Sequence, residues 1–121
     1  MTGRTILLGL LLFIAAQPGC KKNDDLPPEK QILGVWVSTS TEDILDFTDE
    51  DTFYKSNKNI HEPYRYQLEK DSIEIQYVGE SFIAVPPTKH KYTISGSRLT
   101  IDFASKHCFG FPTELLTFVK R

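Results

Sequence analysis

Residues 64–77 read YRYQLEKDSIEIQY, and this stretch alternates apolar and polar residues on both sides of a polar break. Side chains at every second position of a β-strand share one face of the sheet. The break EKDS has four residues, a common length for a β-hairpin loop. Leu68 and Ile73 flank it, and their spacing lets both strands present one apolar face. The stretch therefore predicts a hairpin with one buried and one exposed face.

The same pattern recurs along the rest of the chain. Two further hairpins are predicted, one around the turn Thr48–Thr52 and one around Ser95–Arg98. A helical turn is predicted over residues 28–33, with proline near its start. With a first and a last strand added, the sequence predicts eight strands at about 34–41, 43–48, 52–58, 64–69, 72–78, 90–95, 98–103 and 114–120. Such a pattern indicates an all-β fold, and the short sequential hairpins favour a small antiparallel up-and-down barrel over the alternative β-sandwich.

Residues 1–19 have the composition of a cleavable export signal. Arg4 provides a positive charge, and the uncharged apolar run Ile6–Ala16 follows. The run falls within the range of about 7–15 residues for a signal-peptide core and short of the roughly 20 that a membrane-spanning helix needs. Pro18 and Gly19 then end any helix. We therefore expect an exported precursor that loses residues 1–19.

The end of this signal resembles a bacterial lipobox, because Gly19 places a small residue directly before Cys20. The resemblance implies that Cys20 becomes the lipid-bearing first residue of the mature protein; ordinary cleavage near Ala16 is the alternative. Residues 20–31 are charged and contain prolines, which predicts a flexible tether. The stretch 21–25 resembles the charged motif that follows the lipid-bearing cysteine in surface-exposed lipoproteins of Bacteroidetes. These features predict a cell-envelope protein anchored by lipid to the outer membrane, either periplasmic or surface-exposed.

The predicted domain, residues 32–121, begins with a Gly-x-Trp motif at residues 34–36. Together with the eight strands, this motif resembles the opening of lipocalins and of small lipocalin-like domains in bacterial lipoproteins. The resemblance implies a barrel closed at one end by Trp36, with the glycine of the motif letting the chain pass close to the ring. It also implies a basic side chain from the last strand over that ring, for which Lys120 and Arg121 are the candidates.

Charge and residue spacing argue against several function classes. The chain has 14 basic and 16 acidic residues, a formal net charge of −2 at pH 7 and no basic block, which is unlike nucleic-acid-binding proteins. No two of the three histidines have the spacing of a metal site, and the acidic turn Asp49–Asp51 is typical of a solvated turn rather than a calcium site. Cys108 is expected to be a small buried apolar residue. We expect no enzyme activity, no metal and no cofactor.

Aromatic residues are the main candidates for ligand binding. Tyrosines that face a barrel interior can hold an apolar ligand with a polar end, or they can fill the core. Two long loops, 79–89 and 104–113, are apolar or aromatic at their centres, and they either plug the barrel or line its entrance. The candidate ligand-binding residues are Trp36, Tyr54, Tyr64, Tyr66, Tyr77, Phe82, Tyr92 and Phe109. The sequence thus predicts binding of a small apolar ligand; the alternative is a non-enzymatic interaction module that docks an envelope protein or polysaccharide.

Overall fold

The computed structural model describes residues 26–81 and 84–121. The predicted signal peptide, Cys20 and the first part of the predicted tether therefore lie outside the described residues. A short helix, α1 (Pro28–Gln31), confirms the predicted helical turn. The strands that follow it are β1 (Gly34–Ser38), β2 (Ile44–Phe47), β3 (Thr52–Ser56), β4 (His61–Leu68), β5 (Ser72–Tyr77), β6 (Thr88–Ser95), β7 (Arg98–Asp102) and β8 (Leu115–Lys120). None of the helical structure in the described ranges has the length and hydropathy that crossing a membrane requires.

The eight strands close into a barrel in which every strand is antiparallel to its neighbours. Consecutive strands pair along the chain, and β8 closes the ring by pairing with β1, where Val119 lies opposite Val37. The hairpin of residues 64–77 forms in the predicted register, with Leu68 opposite Ile73. The predicted all-β up-and-down barrel is therefore confirmed, and the alternative β-sandwich is wrong. This architecture is compatible with a lipocalin-like fold.

Four strand ends differ from the prediction by two or more residues. β1 ends early, at Ser38, and β3 ends early, at Ser56, whereas β4 begins at His61 and β6 at Thr88, both before their predicted starts. The additional residues pair with neighbouring strands, as His61 does with Ser56 and Thr88 does with Ile75. Polar residues and a proline occupy these added positions. They carry no apolar alternation, which is the pattern that predicts a strand.

Aromatic rings fill the barrel interior. Side chains that point inward along each strand are buried, while the alternate side chains are more exposed. Phe53 stacks on Phe47 with ring centroids 4.8 Å apart and on Tyr64 at 4.9 Å. The edge of Tyr66 meets Phe47 at 4.9 Å. Each such pair contributes about 0.5–1.5 kcal/mol beyond the burial of its area. The interior of an eight-stranded barrel is wide enough for side chains to fill or for one small ligand.

One end of the barrel is closed by Trp36 and the segment around α1. The Trp36 side chain is fully buried, and its indole Nε1 donates a hydrogen bond to the Ile32 carbonyl at 2.7 Å. The Lys120 ammonium lies 4.9 Å from the Trp36 ring centroid. It also donates to the carbonyls of Gln31, at 2.9 Å, and Leu33, at 2.6 Å. Of the two basic candidates, Lys120 is thus the one over the tryptophan, and it ties the last strand to the segment that enters the barrel.

The glycine of the Gly-x-Trp motif accommodates this lysine. Gly34 has a φ of +115°, a backbone conformation that other residues rarely adopt. A Cβ at this position would lie 3.1 Å from Lys120 Cε. The motif therefore combines a left-handed backbone with the space that the lysine stem needs.

Removal of the Lys120 ammonium tests this closure. We expect Lys120→Met to lower the free energy of unfolding by about 1.5–3 kcal/mol, because hydrogen bonds from a charged group are lost while the alkyl packing is kept. Urea unfolding measures the loss. Lys91→Met, at an exposed position of β6, is the matched control and should change stability by less than about 0.5 kcal/mol. Equal stability of the two variants would contradict the role assigned to Lys120.

Candidate functional site

The end of the barrel opposite α1, which we call the open end, is formed by residues 39–43, 57–60, 78–81, 84–87 and 103–114. The last of these, which we call the covering loop, folds over this end. Phe111 is buried against Phe103, with ring centroids 4.4 Å apart, and against Tyr64 at 5.5 Å. The Tyr64 hydroxyl donates a hydrogen bond to the Phe109 carbonyl at 3.0 Å. Ring packing and a backbone contact therefore both fix the covering loop.

A charged pair lies next to Phe111. Lys55 is only 5% exposed, and its Nζ lies 3.9 Å from the Asp43 carboxylate and 5.5 Å from the centre of the Phe111 ring. Asp43 also accepts hydrogen bonds from Asn57, at 3.0 Å, and Thr41, at 3.2 Å. A buried charge is costly unless it is paired and hydrogen-bonded. The pair therefore links three loops of the open end to the barrel wall.

Gly110 allows the covering loop to lie this close to the barrel. Its φ is +88°, and a Cβ at this position would overlap the Tyr64 hydroxyl. Gly96, in the turn between β6 and β7, has a φ of +60°, but a Cβ there would meet no atom within 4 Å. Both glycines hold a backbone conformation that side chains disfavour. They differ in the space available for a side chain.

This difference gives a matched pair of variants. We expect Gly110→Ala to lower the free energy of unfolding by about 2–4 kcal/mol, because backbone strain and displacement of Tyr64 both contribute. Gly96→Ala should cost only the backbone strain, about 1–2 kcal/mol. Chemical denaturation of both variants measures the difference. Equal losses would contradict the close packing of the covering loop on Tyr64.

A second group of polar side chains is buried under the covering loop. Cys108 is a free, buried thiol, and burial raises its pKa to about 11, although Thr88 and Lys55 act in the opposite direction. The Thr88 hydroxyl lies 2.7 Å from His90 Nε2. His90 is 3% exposed, its ring centroid lies 4.8 Å from that of Phe103, and its Nδ1 has no hydrogen-bond partner among the described residues. A thiol that stays protonated at neutral pH is a weak nucleophile, so this arrangement does not activate Cys108.

The buried histidine makes stability depend on pH. Burial lowers the pKa of His90 below its ordinary value of 6.5; Lys106 acts in the same direction and Asp102 in the opposite one. The folded state thus favours neutral imidazole, while the unfolded chain binds a proton near pH 6.5. We expect the free energy of unfolding to be highest above about pH 6.5 and to fall as the pH is lowered towards the folded-state pKa. Urea unfolding between about pH 5 and pH 8 measures this slope.

The same measurement on two variants shows which residue causes the dependence of the free energy of unfolding on pH. His90→Gln keeps a polar side chain near Thr88 but cannot titrate, so it should remove the slope even if it lowers overall stability. His107→Gln, at an exposed position of the covering loop, should leave the slope unchanged. A slope that persists in His90→Gln would show that another group causes it.

The structure separates the predicted ligand-binding residues. Tyr54 lies on the outer side of β3, where its ring stacks on His61 with centroids 4.8 Å apart. Phe109 lies at the rim of the open end, 46% exposed, and Phe82 lies outside the described residues. The candidates that are buried inside the barrel are Trp36, Tyr64, Tyr66, Tyr77 and Tyr92. These buried residues belong to one hydrophobic core cluster.

Buried tyrosine hydroxyls already have partners in the loops. The Tyr66 hydroxyl donates to the Asp49 carbonyl at 2.7 Å. The Tyr77 hydroxyl lies 2.6 Å from the Glu62 carboxylate of β4 and 3.2 Å from the Glu80 carbonyl in the β5–β6 loop. Burial raises the pKa of Tyr66 well above its ordinary value, and the nearby carboxylate of Asp49 adds to this effect. These hydroxyls are therefore protonated donors that hold loops in place at both ends of the barrel.

A cleft of about 590 Å³ opens at the rim between the start of β4 and the end of β5. This rim cleft is lined by residues 61–63 and 77–80, and it includes the carboxylates of Glu62 and Glu80. Val78 in its wall is 45% exposed. Apolar and acidic groups are therefore both accessible at the open end.

A smaller pocket of about 200 Å³ lies on the outer wall of β4 and β5. In the strand ladder, Arg65 lies opposite Gln76 and Gln67 lies opposite Glu74, so these four outward side chains form one patch. Gln76 Nε2 donates to the Val85 carbonyl at 3.0 Å, which holds the β5–β6 loop against the outer wall. We call this the side pocket, and the side chains that line it include Arg65, Gln67, Glu74, Gln76 and Pro87.

Sequence reasoning missed the side pocket. The alternation in residues 64–77 does place Arg65, Gln67, Glu74 and Gln76 on the outer face, and the hairpin register sets them opposite one another. That signal describes any solvated face of a hairpin. The pocket also needs the path of the β5–β6 loop, and no local pattern in the sequence specifies that path.

Neither metal-site geometry nor similarity to known proteins indicates a function for the described residues. No family model, no curated protein and no solved structure gives a significant match to the chain. Within residues 26–81 and 84–121, no group of three or more His, Cys, Asp or Glu side chains could hold a metal ion. The surfaces of the barrel are therefore the basis for a functional proposal.

Proposed function

We propose that this protein is a membrane-anchored cell-envelope lipoprotein whose lipocalin-like barrel acts as a non-enzymatic interaction module. The module binds an envelope protein or polysaccharide through its outer surface, at the two ends of the β5–β6 loop. The packing of the interior is the observation that carries this proposal, because rings such as Phe53 and Tyr64 occupy the space that a ligand would need. The rim cleft and the side pocket instead open outward on either side of one loop.

The membrane anchor is supported by the N-terminal sequence. Cys20 directly follows Gly19 at the end of the apolar signal. Acyl chains contribute about 0.8 kcal/mol per buried methylene, and more than one chain gives a stable anchor. The tether between Cys20 and α1 spans at most about 3.3–3.6 Å per residue, so it holds the barrel near the membrane surface. In this proposal the anchor lies in the outer membrane.

The position of the tether favours the open end as the binding surface. The chain enters the barrel through α1, which lies at the closed end near Trp36. The rim cleft and the exposed side chains of Val78 and Phe109 lie at the opposite end. A partner can therefore reach these groups without displacing the anchor, and exposed apolar groups are typical of interaction sites.

A small apolar ligand inside the barrel is the alternative, and it requires a rearrangement. Phe111 would have to leave Phe103 and Tyr64, and the charged pair of Lys55 and Asp43 would lose the ring that covers it. Exposure of a buried ion pair and loss of two ring contacts both oppose this movement. Binding to the outer surface requires no such change.

Substitution of the two cysteines tests the anchor. We expect Cys20→Ser to abolish incorporation of labelled palmitate and to release the protein from the membrane fraction, because the acylated thiol is gone. Cys108→Ser is the matched control, since this cysteine is buried in the barrel and should not carry lipid. Fractionation and the mass of the purified protein measure both effects. Retention of label in Cys20→Ser would contradict the proposed lipidation site.

Photocrosslinking tests the interaction module. A photoreactive amino acid at Val78 in the rim cleft should form a discrete covalent adduct in intact envelopes, because its side chain is exposed at the open end. The matched control is Ser97, an exposed turn position at the closed end, which should give no adduct. Mass spectrometry of the adduct identifies its class. The same yield at both positions, or none at either, would contradict docking through the open end.

A further inference from the structure

The side pocket combines opposite charges that do not pair with each other. Arg65 and Glu74 both line the pocket, yet no ion pair joins them among the described residues. Within the same part of the chain, neither their side chains nor that of Gln67 makes a hydrogen bond. Three polar side chains therefore surround a cavity without hydrogen-bonding to any residue that the structure describes.

From this arrangement we infer that the side pocket binds one neutral saccharide unit of a glycan. The inference rests on the proposed function, in which the outer surface binds an envelope component, and it names the chemistry of that component. Arg65 is a donor only, the Glu74 carboxylate is an acceptor only, and the Gln67 amide is both. A hydroxyl group donates and accepts at once. Neighbouring hydroxyls of one sugar ring can therefore form hydrogen bonds with Arg65 and Glu74 at the same time.

Charge and shape favour a sugar over other small ligands. The positive charge of Arg65 and the negative charge of Glu74 balance, so the pocket selects a neutral ligand. Pro87 supplies an apolar wall against which the C–H face of a sugar ring can lie. The volume of about 200 Å³ lies below the roughly 300–1,000 Å³ of pockets that hold drug-sized ligands. This is room for a single ring, and the pocket lies on the outer wall, where a longer glycan can continue into solvent.

The pocket is held in shape by the protein itself. The Gln76 side chain donates to the Val85 carbonyl and keeps the β5–β6 loop against the barrel. The other polar side chains project from two strands in a fixed register, with Gln67 opposite Glu74. A site built on rigid strands loses less entropy when it binds. A single ring should nonetheless bind weakly, because small ligands make few contacts.

Titration of the full-length protein with defined sugars tests the inference. The protein is kept in a detergent without a sugar headgroup and followed by ¹H–¹⁵N NMR. The probes are glucose, galactose, mannose and N-acetylglucosamine; glucuronate is the charged comparison and glycine the zwitterionic one. We expect saturable shifts centred on Arg65, Gln67 and Glu74 with at least one neutral sugar, and dissociation constants in the millimolar range.

Variants of the lining residues locate the site. Arg65→Ala and Glu74→Gln should each weaken binding at least about fivefold, because each removes a charged hydrogen-bonding group. The matched controls Lys106→Ala and Glu114→Gln, at exposed positions of the covering loop, should bind like the wild type. Retained dispersion of the NMR spectrum shows that each variant is folded. Shifts that persist unchanged in Arg65→Ala and Glu74→Gln would overturn the inference.

The remaining outcomes separate this inference from the proposed function. No shift with any neutral sugar, or shifts with glycine or glucuronate alone, would overturn the saccharide inference. An adduct at Val78 in the photocrosslinking experiment would then still support docking through the outer surface. Saturable sugar binding together with a glycan adduct at Val78 would support both.

Discussion

Aromatic packing inside a closed ring of eight strands is the constraint on which the rest of this structure depends. Closure leaves no free strand edge, and alternation sends every second side chain into a narrow interior. Phe47, Phe53, Tyr64 and Tyr66 meet there at ring separations of 4.8–6.0 Å. The same packing that stabilises the barrel is the basis on which we propose an interaction module rather than a carrier of an apolar ligand.

Different interactions cover the two ends of the barrel. At the end near α1, a single cation over Trp36 satisfies two backbone carbonyls of the entering segment. At the open end, Phe111 covers the interior and lies beside the buried pair of Lys55 and Asp43. Both ends therefore place a lysine ammonium near an aromatic ring, where burial strengthens the attraction. The outer wall between the ends carries the further polar groups of the side pocket.

The fold was largely predictable because period-two alternation is a local signal. Leu68 opposite Ile73 and Ile94 opposite Leu99 follow from residues a few positions apart. Two features of the open end did not follow from that signal. Lys55 occupies an inward position where an apolar residue is expected, and it is acceptable only because Asp43 lies nearby. The added start of β4 at His61 contains polar residues and a proline, so no alternation marked it.

The grouping of polar side chains was not predictable for a related reason. In the sequence His107 directly precedes Cys108, whereas the fold places Thr88 next to His90 and near the Cys108 thiol. Contacts between distant segments depend on loop paths, and those paths have no local pattern. The side pocket has the same origin. Its four strand residues lie where alternation puts them, but only the loop that carries Val85 and Pro87 turns a polar face into a cavity.

The most direct test of a filled barrel is the mass of the protein with everything that it retains after gentle purification. Non-denaturing mass spectrometry of the natively expressed protein, released from detergent in the gas phase, should give the mass of the processed and acylated chain alone. Mild collisional activation should release no further molecule, because the rings around Tyr64 occupy the interior. An additional apolar molecule, bound in one-to-one ratio and retained until the chain unfolds, would contradict this account.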